Sequence, residues 1–203
     1  MPVRVLLVTG SLGPGGTELS VVGLARGLNA RGRALPHVAV LGSAGSYGPT
    51  LRSEGIVVHE LGIKGALRTP GRFRALLQLA DIVRREKIGI VHTFLFDADV
   101  YGMLAARIGG PWSVITTRRA IKKGRPLHLL GYRLTNGFAD RIVCNSEAVR
   151  EFTLKKENPP SDKLRVIPNG VDLDRYACGA REPFRTRLGI APNTLLVGSV
   201  GTL

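Results

Sequence analysis

Short runs of branched apolar residues recur along the chain at Val3–Val8, His37–Leu41, Ile56–Leu61, Ile88–His92, Ser113–Thr117, Arg141–Cys144 and Leu164–Ile167. Their length and their glycine- and polar-rich borders predict buried strands. Between most of them lie segments with helical period: Thr17–Ala30, Arg72–Arg85, Ala98–Ile108, Leu127–Phe138 and Ser146–Lys156. Within Arg72–Arg85, the residues Phe73, Leu76, Leu77, Ala80 and Val83 share one stripe, expected to face the core. Strand alternating with helix predicts an α/β fold with a parallel sheet covered on both faces. Right-handed crossovers then make it doubly wound and Rossmann-like.

The rhythm changes towards the C-terminus. Asn169-Gly170 marks a turn, Gly179–Pro183 reads as a surface link, and a short helical piece is expected at Pro183–Leu188. The stretch Thr194–Leu203 has the composition of a new buried strand. The expected organisation is therefore a domain over residues 1–178, a linker over 179–193, and the first strand of a second domain over 194–203. With nothing after it to cover that strand, the chain reads as a fragment.

Ligands of doubly wound sheets bind beyond the carboxyl ends of the strands. Four groups are expected at that rim: the glycine loop after Val8, His92 with Thr93, Arg118 with Arg119, and Asn145 with Ser146. The loop, Gly10-Ser11-Leu12-Gly13-Pro14-Gly15-Gly16-Thr17-Glu18, is the richest of them. A glycine-dense turn from strand to helix brings backbone amides close to an anion at the positive end of a helix. The place of a third fingerprint glycine holds Glu18, so this is not G-x-G-x-x-G, and no Lys-Ser/Thr pair makes it a P-loop. The alternative is a plain tight turn, with Thr17 as N-cap and Glu18 in the first helical turn.

Composition narrows the classes. The 203 residues carry a formal charge of +14, from 22 arginines and 7 lysines against 15 acids. A genome that favours arginine codons would account for part of this. The distribution is nevertheless uneven, because no acid lies between Asp99 and Asp140, where Arg118, Arg119, Lys122, Lys123 and Arg125 accumulate. A second acid-free stretch from Leu61 to Ala80 carries Lys64, Arg68, Arg72 and Arg74. Such patches suit phosphorylated substrates or an anionic membrane surface. Nucleic acid is not expected, since neither interleaved aromatics nor a known binding module accompanies the charge. No apolar run reaches the ~18 residues of a membrane span. Cys144 and Cys178 lack a C-x-x-C spacing and read as free thiols of a reducing compartment. A cytoplasmic protein is expected, with a peripheral position at the inner face of a membrane as its extension.

The ordered motifs resemble one family. They are Gly15-Gly16-Thr17-Glu18 after the opening strand, Ile90-Val91-His92-Thr93, and Ala139-Asp140-Arg141-Ile142-Val143-Cys144-Asn145-Ser146-Glu147-Ala148-Val149. After these come Val166-Ile167-Pro168-Asn169-Gly170-Val171-Asp172-Leu173-Asp174-Arg175-Tyr176 and Leu196-Val197-Gly198-Ser199-Val200-Gly201-Thr202-Leu203. The series resembles the N-terminal half of a retaining glycosyltransferase of family 4, with the two-domain GT-B architecture. The resemblance implies transfer of a sugar from a UDP- or GDP-linked donor to an acceptor, with retention and without a metal or other cofactor. It also implies that a C-terminal domain holds most of the donor, so this piece alone is expected to be inactive.

Carried over by position, the resemblance makes Gly15 and Gly16 candidates for the donor diphosphate. Thr17, His92 and Asn145 join them as substrate-binding candidates. Many relatives carry a histidine where Arg118 stands here, with Arg119 beside it; these two are the catalytic candidates. Arginine stays protonated and serves as an electrophile or an anion grip, not as a base. Solvated loop arginines are the alternative. His92 is alternatively a structural histidine at a strand end, because Phe94 replaces the second histidine of the family pattern. Asp97 and Asp99 are expected to cap the next helix, and Asn145-Ser146 the one after Cys144. A stand-alone basic module for membrane or a phosphorylated ligand, without catalysis, is the second functional reading. A dehydrogenase is disfavoured by the missing third glycine and by Leu41-Gly42-Ser43, where an acid would close the second strand.

Overall fold

Val3–Thr9 (β1) is apolar on both faces, and Val5 to Thr9 are all buried, as befits a strand at the centre of a two-sided sheet. The computed structural model describes residues 2–63, 71–121, 126–171, 173, 185–191 and 193–197. The further strands are Ala34–Val40 (β2), Val57–Glu60 (β3), Ile90–Phe94 (β4), Ser113–Arg118 (β5), Arg141–Cys144 (β6) and Leu164–Val166 (β7). All pair in parallel, in the order β3-β2-β1-β4-β5-β6-β7. The expected doubly wound Rossmann-like sheet is therefore present. Strand order reverses between β1 and β4, which opens a crevice beyond their carboxyl ends.

The helices are Gly16–Ala30 (α1), Tyr47–Ser53 (α2), Gly71–Arg85 (α3), Phe96–Gly109 (α4), Pro126–Thr135 (α5) and Glu147–Glu157 (α6). A 3-10 turn at Asn136–Phe138 extends α5. One face of the sheet packs Leu7, Val38 and Val40 against Val21, Val22 and Leu51 of α1 and α2. The other packs Leu6, Val8, Val91 and Ile142 against Leu79, Met103 and Val149 of α3, α4 and α6. No helix among the described residues is long and apolar enough to cross a membrane.

Two expectations about the helices need correction. In α3 the expected Ala80 and Val83 are buried and Leu76 packs against the core, but Ala75, Leu79 and Ile82 complete the buried stripe, whereas Phe73 and Leu77 are 68% and 46% exposed. The helix is rotated so that its small residues meet α4, where a Cβ at Gly109 would strike Val83. The short helix α2 went unrecognised because its seven residues include Gly48 and Pro49, which disguise any period.

The loop after β1 is held by the segment after β2. Leu41 and Gly42 donate to the carbonyls of Thr9 and Gly10 at 3.0 and 2.9 Å, and Leu12 donates to Ser43 at 3.3 Å. Gly45 adopts a φ of +49°, and a Cβ there would lie 2.8 Å from Gly13 N and from Leu12 C and O. Both neighbours are backbone, so the strain has nowhere to go. Gly45→Ala is expected to cost about 2 kcal/mol or more in a urea-unfolding measurement, from left-handed backbone and overpacking together. A change under half that size would show that the loop yields.

The chain divides into two units, Met1–Asn169 and Gly170–Leu203. In the second, residues 185–187 form a helical turn, and the Arg185 guanidinium holds the carbonyls of Ala191 and Thr194, each at 2.8 Å. Residues 183 and 184 of the expected helix lie outside the described residues. The expected strand at Thr194 is absent from its described part, Thr194–Val197, where Leu195 and Val197 are 88% and 85% exposed. A strand needs a ladder partner, and none lies beside this segment among the described residues. Gly198–Leu203 lie outside them, as does most of the 170–184 segment.

Candidate functional site

The crevice at the β1/β4 reversal is bordered by the glycine loop and the start of α1. The helix opens at Gly16 with Gly15 as N-cap and no side-chain cap, so Thr17 sits inside the first turn and does not cap it. The first amides of α1 have no partner within the helix and carry its positive end. Around Gly13 and Gly16 a Cβ would meet nothing within 4 Å, so the backbone is open there. Gly15 differs. Glu18 folds its carboxylate back over the Gly15 Cα, where an added Cβ would collide with it, and accepts from the Ser11 hydroxyl at 3.2 Å. The atoms over Gly15 are the far end of a flexible side chain that can swing aside, so Gly15 and Gly16 both stay candidate diphosphate contacts.

Arg118 and Arg119 were expected to act together, but the structure separates them. Successive residues of a strand point to opposite faces. Arg118 turns into the interior among α4, α5 and α6 and is 3% exposed. Its Nε donates to both Glu157 oxygens at 3.1 and 2.9 Å. Its Nη1 donates to Asp99 Oδ2 at 3.1 Å and Thr116 Oγ1 at 2.7 Å, and its Nη2 to Asn136 Oδ1 at 2.8 Å. The Tyr132 ring covers the guanidinium at 3.6 Å. Burial alone would lower its pKa, but Asp99 and Glu157 outweigh that and raise it. With four of its five N–H groups engaged and no outward face, Arg118 does not grip a ligand here. The expectation of a catalytic role for its side chain is corrected accordingly.

Asp99 is likewise not a cap. It is buried, and its Oδ1 accepts from the Thr93 and Thr116 hydroxyls, both at 2.6 Å. Burial raises its pKa against the opposing pull of Arg118 and the hydroxyls. The sequence held one signal for this cluster: Glu157 ends α6, where the helix's negative pole disfavours a carboxylate unless a cation meets it.

Arg119 faces the opposite way, towards α1. Its Nη2 donates to Ser20 Oγ at 2.6 Å and to Asn169 Oδ1 at 2.7 Å. Burial lowers its pKa while the Glu18 charge opposes the shift. Asn145, after β6, donates its side-chain amide to the Arg119 carbonyl at 3.1 Å and so supports the loop. Ser146 caps α6 as expected, accepting from Val149 N at 3.3 Å. Ser20 was not singled out from the sequence, and Asn169 only as a turn and motif residue, because only folding brings them beside Arg119.

His92 shares a hydrogen bond of 2.7 Å with Thr117 Oγ1 and stacks on Phe94, the ring centroids 4.4 Å apart. Burial, followed by the nearby Arg119 charge, lowers its pKa from 6.5 to about 4. The imidazole is therefore neutral at neutral pH. Between pH 6.5 and 4 the unfolded chain binds a proton that the folded one refuses, so stability falls as pH drops, by at most about 1.4 kcal/mol per unit. His37 and His59, also lowered by burial, act in the same direction. Urea unfolding at pH 7, 5.5 and 4.5 is expected to show a shallower loss for His92→Gln than for the parent. Equal slopes would contradict a neutral imidazole.

Leu95 joins β4 to α4 with φ 72° and ψ 160°, a region almost confined to glycine. Such a conformation costs about 1–3 kcal/mol and collects at functional sites. It lies on the β4 side of the crevice, opposite the glycine loop.

A sequence similar to this chain is the E. coli UDP-Gal:alpha-D-GlcNAc-diphosphoundecaprenol alpha-1,3-galactosyltransferase, 28% identical over 146 residues, which are 64% of this chain and 36% of the relative. Among solved structures, a glycosyltransferase from Rickettsia africae superposes with a TM-score of 0.76 at 20% identity, over 95% of this chain and 51% of that one. An Anabaena protein solved in complex with UDP and glucose gives 0.70 at 19% identity, over 92% and 50%. The chain thus spans about half the length of these solved proteins, and the likeness to them concerns the fold. The pattern of Glycosyltransferase Family 4 matches residues 14–175, from the glycine loop through the last strand of the sheet and beyond. With that match over most of its length, this chain belongs to Glycosyltransferase Family 4.

Proposed function

We propose that this chain is the acceptor-side domain of a glycosyltransferase that moves a sugar from a UDP- or GDP-linked donor to an acceptor, with retention at the anomeric carbon. One observation carries the reading: the open backbone at Gly13 and Gly16, the amide-rich start of α1 and the Arg119 guanidinium lie together at the point of strand reversal. Breaking a nucleotide-sugar bond leaves negative charge on the departing diphosphate. Preorganised amides and a fixed cation stabilise that charge most when they need not reorganise. Arg119, already oriented by Ser20 and Asn169, meets that condition. Both supporting bonds have uncharged acceptors, and among the described residues a phosphate would compete for the guanidinium only with the nearby Glu18 carboxylate. The neutral His92, held by Thr117, is suited to orienting a hydroxyl and not to delivering a proton near pH 7. Family membership supports the reaction class, and the Anabaena neighbour, solved with UDP and glucose, supports a uridine nucleotide as the first donor to try.

The test exploits the space around Gly16. A Cβ there meets nothing within 4 Å, so Gly16→Val is expected to leave the unfolding midpoint nearly unchanged. In a protein extended to the length of its relatives it is also expected to weaken UDP binding, followed by calorimetry, by about tenfold or more, because the branched side chain blocks close approach of the phosphates. The same substitution in a protein extended to the length of its relatives is expected to lower sugar transfer from UDP- and GDP-linked donors. Unaltered UDP and GDP binding, or no transfer by the unsubstituted extended protein, would overturn the proposal.

A further inference from the structure

Arg118 is anchored to several elements at once. Its bonds reach α4 through Asp99, α6 through Glu157 and the 3-10 turn through Asn136, while Tyr132 of α5 covers its plane. Apolar residues of similar volume commonly hold helices to a sheet as well as a buried ion network does. A network of directed hydrogen bonds supplies something packing does not, namely a fixed direction for the chain that carries it. The next residue is Arg119. The carbonyls on either side of that step are also tied down, that of Arg118 by Asn145 N at 3.2 Å and that of Arg119 by Asn145 Nδ2 at 3.1 Å. Arg119 itself is held only lightly, through a single nitrogen and two neutral acceptors.

We propose that Arg118, clamped by Asp99 and Glu157, is a positioning residue that fixes the end of β5 and thereby aims Arg119 at its anionic ligand. The two neighbouring arginines then divide the work. One has its charge met by two enclosed carboxylates and serves as an anchor; the other keeps its charge for the phosphate. Small movements of α4, α5 or α6 would be passed through the network to the guanidinium facing α1. The ligand part of this inference rests on the assignment of Arg119 made above.

The test uses Glu157→Gln, which removes the carboxylate charge and one of the two oxygens that accept from Arg118 Nε, and leaves Asp99 paired with Arg118. In the ligand-free chain, the nitrogen and proton signals of the Arg119 side chain, assigned through their loss in Arg119→Ala, are expected to shift or broaden in Glu157→Gln. UDP binding by the protein extended to the length of its relatives is expected to weaken by up to about tenfold, the loss of one charge-assisted bond between Arg119 and the phosphate. The same Glu157→Gln change made on top of Arg119→Ala is expected to weaken it no further. An anchor that only stabilised the fold would lower the unfolding midpoint, leave the Arg119 signals in place and combine multiplicatively with Arg119→Ala. That result would overturn the proposal. Should Glu157→Gln not fold, Glu157→Asp, which keeps the charge but shortens its reach, is read in the same way. If the parent protein, extended to the length of its relatives, binds no UDP, the reading of Arg119 fails, and the ligand-free signals still decide whether Arg118 positions it.

Discussion

Arg118→Met is expected to lower the unfolding free energy by about 3–5 kcal/mol, the usual cost of breaking an enclosed ion pair from one side. The loss comes less from the missing guanidinium than from what it leaves behind. Asp99 and Glu157 are 0% and 4% exposed, and both would be stranded without a cation. Urea unfolding followed by circular dichroism measures the effect. Adding Asp99→Asn and Glu157→Gln to Arg118→Met removes the stranded charges and is expected to recover much of the loss. If Arg118→Met alone costs under about 1 kcal/mol, as an exposed pair would, the enclosure described here is wrong.

Arg119→Ala is expected to do the reverse. Its two bonds are to neutral partners at the rim, so the unfolding free energy is expected to change by about 1 kcal/mol or less. In the protein extended to the length of its relatives, kcat/KM for sugar transfer is expected to fall about 10²–10³-fold, as when one preorganised donor to a developing anion is removed. Arg119→Lys keeps the charge but loses the planar fork and is expected to fall between the two. Steady-state kinetics with the preferred donor decides it. Transfer unchanged in Arg119→Ala would show that the leaving diphosphate is met elsewhere.

The contrast between two adjacent arginines shows how much of the site was legible. Their position at the end of a strand, on the rim where ligands bind, followed from the alternation of apolar runs with helical segments. Strand geometry also implies that they face opposite ways. Which of the two enters the interior could not be read, because its partners lie 19 and 39 residues further along or back in the chain. Glu157 offered a hint as a carboxylate at the wrong end of a helix, and Asp99 offered none beyond its place in a first turn. The glycine loop was read correctly as a strand-to-helix turn at the rim. The fold of Glu18 over Gly15 was not, since it depends on a rotamer chosen against Ser11 and the helix start.

What the sequence by itself determined is what short-range periodicity can carry: the seven strands of the sheet, five of the six helices among the described residues, that the sheet is parallel, and where the carboxyl ends of its strands lie. Tertiary structure alone decided the rotation of α3, which buries Ala75 and Leu79 and leaves Phe73 outside. It also decided that Arg118 anchors, that Arg119 meets Ser20 and Asn169, and that His92 is kept neutral. The physical reason is the range of the forces involved. Backbone preference and apolar repeat act over a few residues, whereas pairing of buried charge and loss of hydration depend on whichever distant segments the folded chain brings together.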